Sequence, residues 1–296
     1  MMRARILSSR YRKIRETTIR RCYASQESQG KPKDLEEVVL KGDKRLKLLD
    51  KLAGWTGIPF DFSIPEGIGV HLYNLYFPSP LTCASFKDDP SILSLWLRLG
   101  LGGVTLKTIM KEQREGNPRP RLQEINFNGT YGLVNAMGLP GKGIKKTLHE
   151  LDQSDILLWG RPVIISIGGS TTEEYEHNIV RWLRYAHQHL DITYLLEING
   201  SCPNTAEGQQ MMKHPELAEQ VLAFARHRTN AVMGLKISPD QNDDDILMFA
   251  ELLSHCPRTY INVGNTSYRT CGGVGLPNDA ISVGGGGLSG PILYKR

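Results

Sequence analysis

Short apolar runs alternate with amphipathic segments between residues 81 and 263, and this alternation constrains the fold more than any other feature. Five segments have helical periodicity: residues 90–99, 143–154, 173–189, 215–228 and 242–254. Six runs are typical of buried strands: Leu81–Ala84, Gly103–Leu106, Val163–Ile167, Tyr194–Ile198, Val232–Ile237 and Tyr260–Val263. Strands that alternate with helices of this length predict βαβ units and a parallel sheet.

Polar or glycine residues follow most of these strands directly. The strand ends lead to Lys107 and Thr108, to Gly168 and Ser170, to Asn199 and Cys202, to Lys236 and Ser238, and to Asn265 and Thr266. In a (β/α)8 barrel the carboxyl ends of all strands open onto one face, which holds the site. An open sheet would enrich only the ends near its switch point. The pattern therefore favours an α/β protein with a (β/α)8 TIM barrel.

The first residues differ in charge from the rest of the chain. Residues 1–21 carry eight Arg or Lys against Glu16 alone, a net +7 that leaves −2 of the formal +5 for the remainder. An Arg- and Ser-rich segment that is poor in acids is typical of a mitochondrial transit peptide. The alternative is a disordered basic tail that binds RNA or anionic lipid. We predict a transit peptide at residues 1–27, a helical extension at 28–69 and the barrel at 70–296.

Cysteine usage and hydropathy limit the remaining classes. The five cysteines are scattered and form no CxxC pair, so the sequence predicts neither a disulfide framework nor a metal site. No run of about 18 apolar residues occurs, so the sequence predicts no membrane-spanning helix. Because the basic charge belongs to the leader, we expect no nucleic-acid binding by the rest of the chain.

Six motifs occur in an order that resembles a known family. They are KTIMKEQREGNPRPR (107–121), NAMGLPGKG (135–143), INGSCPNT (198–205), LKISPD (235–240), NVGNT (262–266) and GGLSG (286–290). Together they resemble dihydroorotate dehydrogenase over about residues 70–296. The resemblance implies an FMN-dependent barrel that oxidises dihydroorotate to orotate in de novo pyrimidine (UMP) biosynthesis. In that reaction the flavin accepts a hydride and a protein base accepts a proton.

The resemblance implies that Cys202 is the catalytic base. An unperturbed thiol has a pKa of about 8.5, so it needs little assistance to accept a proton near neutral pH. The alternative interpretation of a lone cysteine is that it serves as a small buried apolar residue, and we expect this for Cys83 and Cys256.

The same resemblance implies the groups that contact the substrate. A primary amide both donates and accepts hydrogen bonds, which suits a carboxylated pyrimidine. The alternative for each asparagine is ordinary turn chemistry. The implied substrate contacts are Asn135, Met137, Gly138, Leu139, Asn199, Asn204, Asn265 and Thr266.

For the flavin, the resemblance implies a second set of contacts. A cation near the pyrimidine edge of the flavin would stabilise the charge that collects there on reduction, whereas most lysines are simply solvated. GGGGLSG also matches a dinucleotide fingerprint, but no βαβ unit fits in the few residues after it; the resemblance instead implies a flavin-phosphate region. The implied FMN contacts are Ala84, Ser85, Lys107, Thr108, Asn199, Lys236, Gly287 and Gly290.

The sequence departs from the family pattern in two respects. Six strands are recognisable against eight in the family, so we expect a C-terminally truncated barrel. Three explanations stay open: an alternative product, completion by a second polypeptide, or a non-catalytic relative that retains ligand or partner binding. The cysteine base resembles the soluble class, which uses fumarate or, with a partner subunit, NAD, whereas the leader resembles the mitochondrial quinone-linked class. We therefore expect mitochondrial placement, membrane-surface association and a homodimer, and leave the acceptor open.

Overall fold

The computed structural model describes residues 2–56, 62–189, 191–201 and 211–293. The chain divides into two compact units. The antiparallel unit comprises Met1–Leu46, Asn117–Met137 and Tyr268–Arg296, and the parallel unit comprises Lys47–Gly116 and Gly138–Ser267. The boundaries predicted at residues 27 and 69, which separate a leader and an extension from the barrel, stay predictions.

Both units contain helices and strands. In chain order the helices are α1 (Met2–Ser28), α2 (Leu35–Thr56), α3 (Pro90–Arg98), α4 (Gly143–Asp152), α5 (Thr172–Gln188), α6 (Pro215–Arg226) and α7 (Asp243–Ser254). The strands are β1 (Val70–Leu72), β2 (Leu75–Phe77), β3 (Val104–Thr105), β4 (Leu122–Phe127), β5 (Thr130–Asn135), β6 (Val163–Ile167), β7 (Tyr194–Asn199), β8 (Met233–Ile237), β9 (Thr259–Val263), β10 (Ser267–Thr270) and β11 (Gly285–Ser289). None of the helices described is long and apolar enough to cross a membrane.

The parallel unit contains the sheet that the sequence predicts. Its five strands are hydrogen-bonded in the order β3-β6-β7-β8-β9, and every pairing is parallel. The first predicted strand, Leu81–Ala84, is present only as a parallel bridge between Thr82 and Gly103. The predicted α/β class, with its succession of parallel strands and helices, is confirmed; within the described ranges these five strands do not close into a barrel.

Side chains at the helix starts explain where three helices of this unit begin. Asp89 accepts a hydrogen bond from the backbone of Ser91 before α3, and Pro90 occupies the first turn. Thr171 accepts from Glu174 before α5, and Asn242 accepts from Asp245 before α7. Each cap satisfies a backbone N–H that has no partner within its helix. The helix predicted at residues 242–254 therefore begins at Asp243, directly after the Asn242 cap.

The core of the parallel unit lies between the sheet and its helices. β6, β7 and β8 present aliphatic side chains that are almost completely buried, among them Ile165, Leu196 and Leu235. Trp182 and Phe249 from the helices pack into the same cluster. On the other face of the sheet, a smaller cluster joins Ile164, Leu195 and Val232 to the β1–β2 hairpin, since Leu75 and Phe77 belong to it. Both faces are therefore covered, as a parallel sheet requires.

A four-stranded sheet dominates the antiparallel unit, and the sequence analysis did not predict it. Its order is β10-β11-β5-β4, so strands from two distant chain segments pair with one another. β4 and β5 form a hairpin, and β11 pairs antiparallel to β5 with Gly287 opposite Asn135. Its apolar core is small: Ile125, Val134, Ala136, Cys271, Ile281 and Leu288. The GGLSG motif is thus largely strand, and its role at a phosphate stays a prediction.

Candidate functional site

A chain of hydrogen bonds joins the carboxyl ends of the parallel strands. The amide of Asn199, at the end of β7, donates to Thr108 Oγ1 at 2.8 Å. Thr108 Oγ1 in turn lies 3.0 Å from Ser166 Oγ in β6. The Asn265 amide donates to Asn199 Oδ1 at 3.3 Å and to Ser201 O at 3.0 Å. The structure thus brings together Thr108, Asn199 and Asn265, and we call these residues with Ser166 and Ser201 the strand-end chain.

Lys236 lies in β8, next to the Asn199 end of this hydrogen-bond chain. It is opposite Asn199 on β7 in the strand register and opposite Asn262 on β9. Its side chain is only 5% exposed. It makes no hydrogen bond or ion pair with any residue in the described ranges. A buried ammonium is costly unless it is paired or solvated, which makes Lys236 a candidate ligand-binding residue.

Lys107, the other predicted lysine, has protein partners. Its ammonium lies 3.4 Å from the carbonyl oxygen of Phe86 and 5.5 Å from the centre of the Phe86 ring. Its backbone N–H donates to the carbonyl of Lys87, a residue that is 7% exposed. The sequence analysis did not single out Lys87. The available signal was a lysine shortly after the predicted strand Leu81–Ala84, much as Lys107 follows β3.

A cavity of about 490 Å³ opens below these strand ends. This volume lies within the range of roughly 300–1,000 Å³ usual for ligand pockets. Lys236, Glu197 and Tyr260 line it, together with Ala84 and Cys83. Burial raises the pKa of the Cys83 thiol, which keeps that thiol protonated near neutral pH and fits the expectation of a structural cysteine.

Glu197 is a second buried charge in this cavity, and the sequence analysis missed it. It is 3% exposed and accepts hydrogen bonds from the Asn262 amide at 2.8 Å and from the Tyr260 hydroxyl at 3.4 Å. Burial, and then the Glu197 carboxylate, raise the pKa of Tyr260 above its ordinary value. The available signal was an acid within the apolar run YLLEIN, where alternation places it on the same face as Asn199.

Gly234 leaves the space that the Tyr260 ring occupies. A Cβ at this position would lie 2.2 Å from Tyr260 Cζ, far inside van der Waals contact. Any larger residue would displace the ring, which contacts Glu197 through its hydroxyl. The glycine in the MGLKI strand is therefore required by the interior of the sheet and not by a turn.

Other predicted residues lie in the antiparallel unit. Asn135 ends β5, and its side-chain amide donates to the carbonyl of Gly287 at 3.2 Å. The Met137 carbonyl accepts from the Asn117 backbone at 3.0 Å. Gly290 has a φ of +110° and directly follows β11. The structure thus brings Asn135 and Gly287 together, although one was predicted for the substrate and the other for the cofactor.

The remaining predicted residues vary in their setting. Ala84 is exposed at the cavity, Ser85 is half-buried and Thr266 donates its backbone N–H to the Asn265 side chain. Gly138 and Leu139 both have positive φ, at 68° and 53°. Cys202 and Asn204 lie outside the described residues, so the assigned base stays a prediction.

Sequence comparison identifies relatives of this chain. A family model described as dihydroorotate dehydrogenase matches residues 68–296. A dihydroorotate dehydrogenase (quinone) from Rhodococcus opacus is 28% identical over 76% of this chain and 62% of its own length. The catalytic subunit of dihydroorotate dehydrogenase B (NAD(+)) from Pyrococcus abyssi is 32% identical over 59% of this chain and 54% of its own. The chain thus spans less than two thirds of the length of these relatives.

Structural comparison gives the same fold. A ligand-free DHODH from Eimeria tenella matches with a TM-score of 0.66 and 20% identity, over 84% of this chain and 75% of that one. The same protein in complex with ferulenol matches with a TM-score of 0.65. Because the family model covers more than half of the sequence and the fold agrees, the chain belongs to the dihydroorotate dehydrogenase family.

Proposed function

We propose that the chain binds FMN at the strand-end chain and oxidises dihydroorotate to orotate. The observation that carries this proposal is Lys236, a 95% buried cation beside a cavity of about 490 Å³, with no partner among the residues that the structure describes. The family membership supplies the reaction class, and the lysine supplies the reason to place a flavin at this cavity.

The residues present fit the pyrimidine part of a flavin. That edge of the ring carries carbonyl oxygens and ring nitrogens, which pair with an ammonium and with amides. Lys236 supplies the ammonium, and Asn199 supplies an amide that Thr108 and Asn265 hold in place. When bound, FMN supplies the acceptor for the hydride. The charge that collects on the ring during reduction would be stabilised by Lys236.

The protein's part in the reaction is to orient the substrate and to take a proton. We propose that Cys202 accepts the proton from the carbon next to the one that loses the hydride, so that two hydrogens leave and a carbon–carbon double bond forms. We propose Asn135, Asn204, Asn265 and Thr266, with the backbone of Met137, Gly138 and Leu139, as the groups that hold the substrate. These roles come from the family resemblance.

The electron acceptor is a separate question. The names of the relatives include both a quinone enzyme and the catalytic subunit of an NAD(+) enzyme. We infer mitochondrial placement from the composition of the leader, as the sequence analysis did. An assay of orotate formation with quinone, fumarate and NAD in parallel would identify the acceptor for this chain.

A spectrum and an assay test the proposal. The purified chain should show the visible absorbance of a bound flavin and should form orotate, and Cys202→Ala should abolish orotate formation while the flavin stays bound. A chain that binds no flavin would contradict the proposal. Flavin binding without orotate formation would support the alternative, a relative that retains ligand binding without turnover.

Lys236→Met provides the sharper test, because it should weaken FMN binding without lowering the stability of the flavin-free chain. Loss of a charged contact should weaken FMN binding by about 2 kcal/mol, roughly 30-fold. The free energy of unfolding without flavin should stay the same or rise, because the variant removes a buried charge that has no ion-pair partner among the described residues. Lys213, which is exposed, gives the matched control Lys213→Met, for which neither quantity should change.

A further inference from the structure

A buried ion pair ties the start of α2 to the EGNPRPR segment within the antiparallel unit. Both oxygens of the Glu36 carboxylate accept from the Arg121 guanidinium: Nε lies 2.8 Å from Oε2, and Nη2 lies 2.8 Å from Oε1. Arg121 is 9% exposed. Two positions before Arg121, the side chain of Arg119 makes a second ion pair: its Nε lies 2.6 Å from Asp34 Oδ2. A two-pronged Arg–carboxylate contact fixes direction as well as distance.

Arg121 passes this constraint on to the end of β5. Its Nη1 donates to the Asn117 carbonyl at 2.9 Å. The Asn117 side-chain amide donates to the Ala136 carbonyl at 2.9 Å, and its backbone N–H donates to the Met137 carbonyl at 3.0 Å. The Ala136 N–H donates back to the Arg121 carbonyl at 2.8 Å. We call Glu36, Arg121 and Asn117 the α2 clamp.

Buried polar contacts from α1 support the clamp. Gln26, which is 3% exposed, accepts from the backbone N–H of Asp34 at 3.0 Å and donates to its carbonyl at 3.2 Å. Gln123 in β4 donates to the carbonyls of Lys33 at 2.7 Å and of Ala280 at 2.9 Å. The segment between α1 and α2 is therefore fastened to the sheet at several points.

We propose that Glu36 is a positioning residue for the substrate segment. Through Arg121 and Asn117 it fixes the backbone of residues 135–137, which includes Asn135 and Met137. This inference rests on the proposed function for its consequence, because those two residues are assigned to the substrate there. It gives the helical extension a task within the reaction: Glu36 holds a loop whose geometry decides how well dihydroorotate binds.

Hydrogen exchange tests the positioning directly and needs no ligand. In Glu36→Gln the backbone amides of Asn117 and Ala136 should lose protection by about tenfold or more, since their carbonyl partners are released. Glu27→Gln is the control: the Glu27–Lys33 pair lies 2.9 Å apart with side chains 59% and 55% exposed, and its loss should change neither amide. Unchanged exchange at Asn117 and Ala136 in Glu36→Gln would overturn the proposal.

A second variant guards against a general loss of structure. Arg121→Lys keeps the charge, but it cannot contact both carboxylate oxygens in one plane and it removes the guanidinium bond to the Asn117 carbonyl. A loss of protection at the same two amides, at least as large as in Glu36→Gln, is therefore expected. Loss of protection across β6, β7 and β8 in both variants would show a general structural role and would overturn the specific one.

Kinetics test the consequence for the substrate. In Glu36→Gln the KM for dihydroorotate should rise by about tenfold while kcat changes less, because a misplaced binding segment weakens substrate binding. An unchanged KM would overturn the proposal even if exchange rises. If the wild-type chain forms no orotate, the proposed function fails, and the exchange experiment still decides whether Glu36 fixes residues 135–137.

Discussion

Each of the two units of this chain is stabilised internally by a different kind of interaction. In the parallel unit, strands that follow one another in sequence also lie next to one another in the sheet, and most of the buried side chains are aliphatic. In the antiparallel unit, β5 pairs with β11, which follows about 150 residues later, and polar groups such as Gln26, Arg121 and Gln123 are buried. Pairing between strands that follow one another along the chain thus builds the parallel sheet, and pairing between distant segments builds the antiparallel sheet.

The largest expected effect concerns close packing in the antiparallel unit. A Cβ on Gly286 would lie 2.4 Å from the backbone carbonyl oxygen of Asn135, and a backbone atom cannot rotate away. Gly286→Ala should therefore destabilise this unit by roughly 3 kcal/mol, at the upper end of overpacking. Hydrogen exchange of the β5 amides would measure it.

Gly42→Ala is the matched control for that experiment. Gly42 lies within α2, in the same unit, and a Cβ there would meet no atom within 4 Å. The same substitution should here stabilise the helix by about 1 kcal/mol. Equal effects at the two glycines would contradict the view that β11 and β5 depend on close backbone approach.

Gly234→Ala is the counterpart in the parallel unit. The obstacle there is the Tyr260 ring, a side chain that can move, so we expect a smaller loss of roughly 2 kcal/mol. All four tryptophans (Trp55, Trp96, Trp159 and Trp182) belong to this unit, so tryptophan fluorescence during urea unfolding would detect the change. A loss that exceeds that of Gly286→Ala would reverse the proposed ranking.

Thr108→Val tests the strand-end chain with little change of shape. The variant removes the hydroxyl that accepts from Asn199 and contacts Ser166, and it leaves a buried amide without its partner. We expect a loss of about 1–2 kcal/mol, together with weaker flavin binding. Thr147→Val is the control, since among the described residues the Thr147 hydroxyl bonds only the Gly143 carbonyl within α4. Equal losses of unfolding free energy in the two variants would show that the strand-end chain contributes no more than an ordinary hydrogen bond within a helix.

Alkaline pH should affect the antiparallel unit through Tyr23. Burial, followed by the charges of Glu124 and Asp34, raises the pKa of Tyr23 from 10.0 to about 12. Below pH 10 the phenol is neutral in both the folded and the unfolded protein, so its contribution to the free energy of unfolding is fully present. Between pH 10 and about 12 the unfolded state loses the proton first, and stability falls by about 1 kcal/mol once solvent screening is allowed for.

Tyr23→Phe should remove the part of the fall in unfolding free energy between pH 10 and about 12 that is due to Tyr23. Unfolding free energies measured in urea across this pH range, for wild type and variant, would show the difference. Tyr185, Tyr194 and Tyr260 in the parallel unit also have raised pKa values, so a dependence should persist in the variant. Identical profiles for the two proteins would contradict the assignment to Tyr23.

The sequence predicted the parallel unit well because its signals are local. Apolar runs such as Val163–Ile167 and caps such as Asn242 operate within one strand or one helical turn. The predicted strand ends also gathered Thr108, Asn199, Lys236 and Asn265 as expected. The absence of partners for Lys236 among the described residues is visible only in the structure, because it depends on every strand that surrounds it.

What the sequence by itself determined is the order and direction of the parallel strands, the boundaries of helices α3 to α7 to within two residues, and the family. What only the tertiary structure decided is the antiparallel sheet, the buried Glu197 with Tyr260, and the α2 clamp. The clamp joins Glu36 to Arg121, 85 positions later, and no periodicity connects residues so far apart. Such contacts depend on how the chain folds back on itself, whereas strand and helix patterns depend on near neighbours.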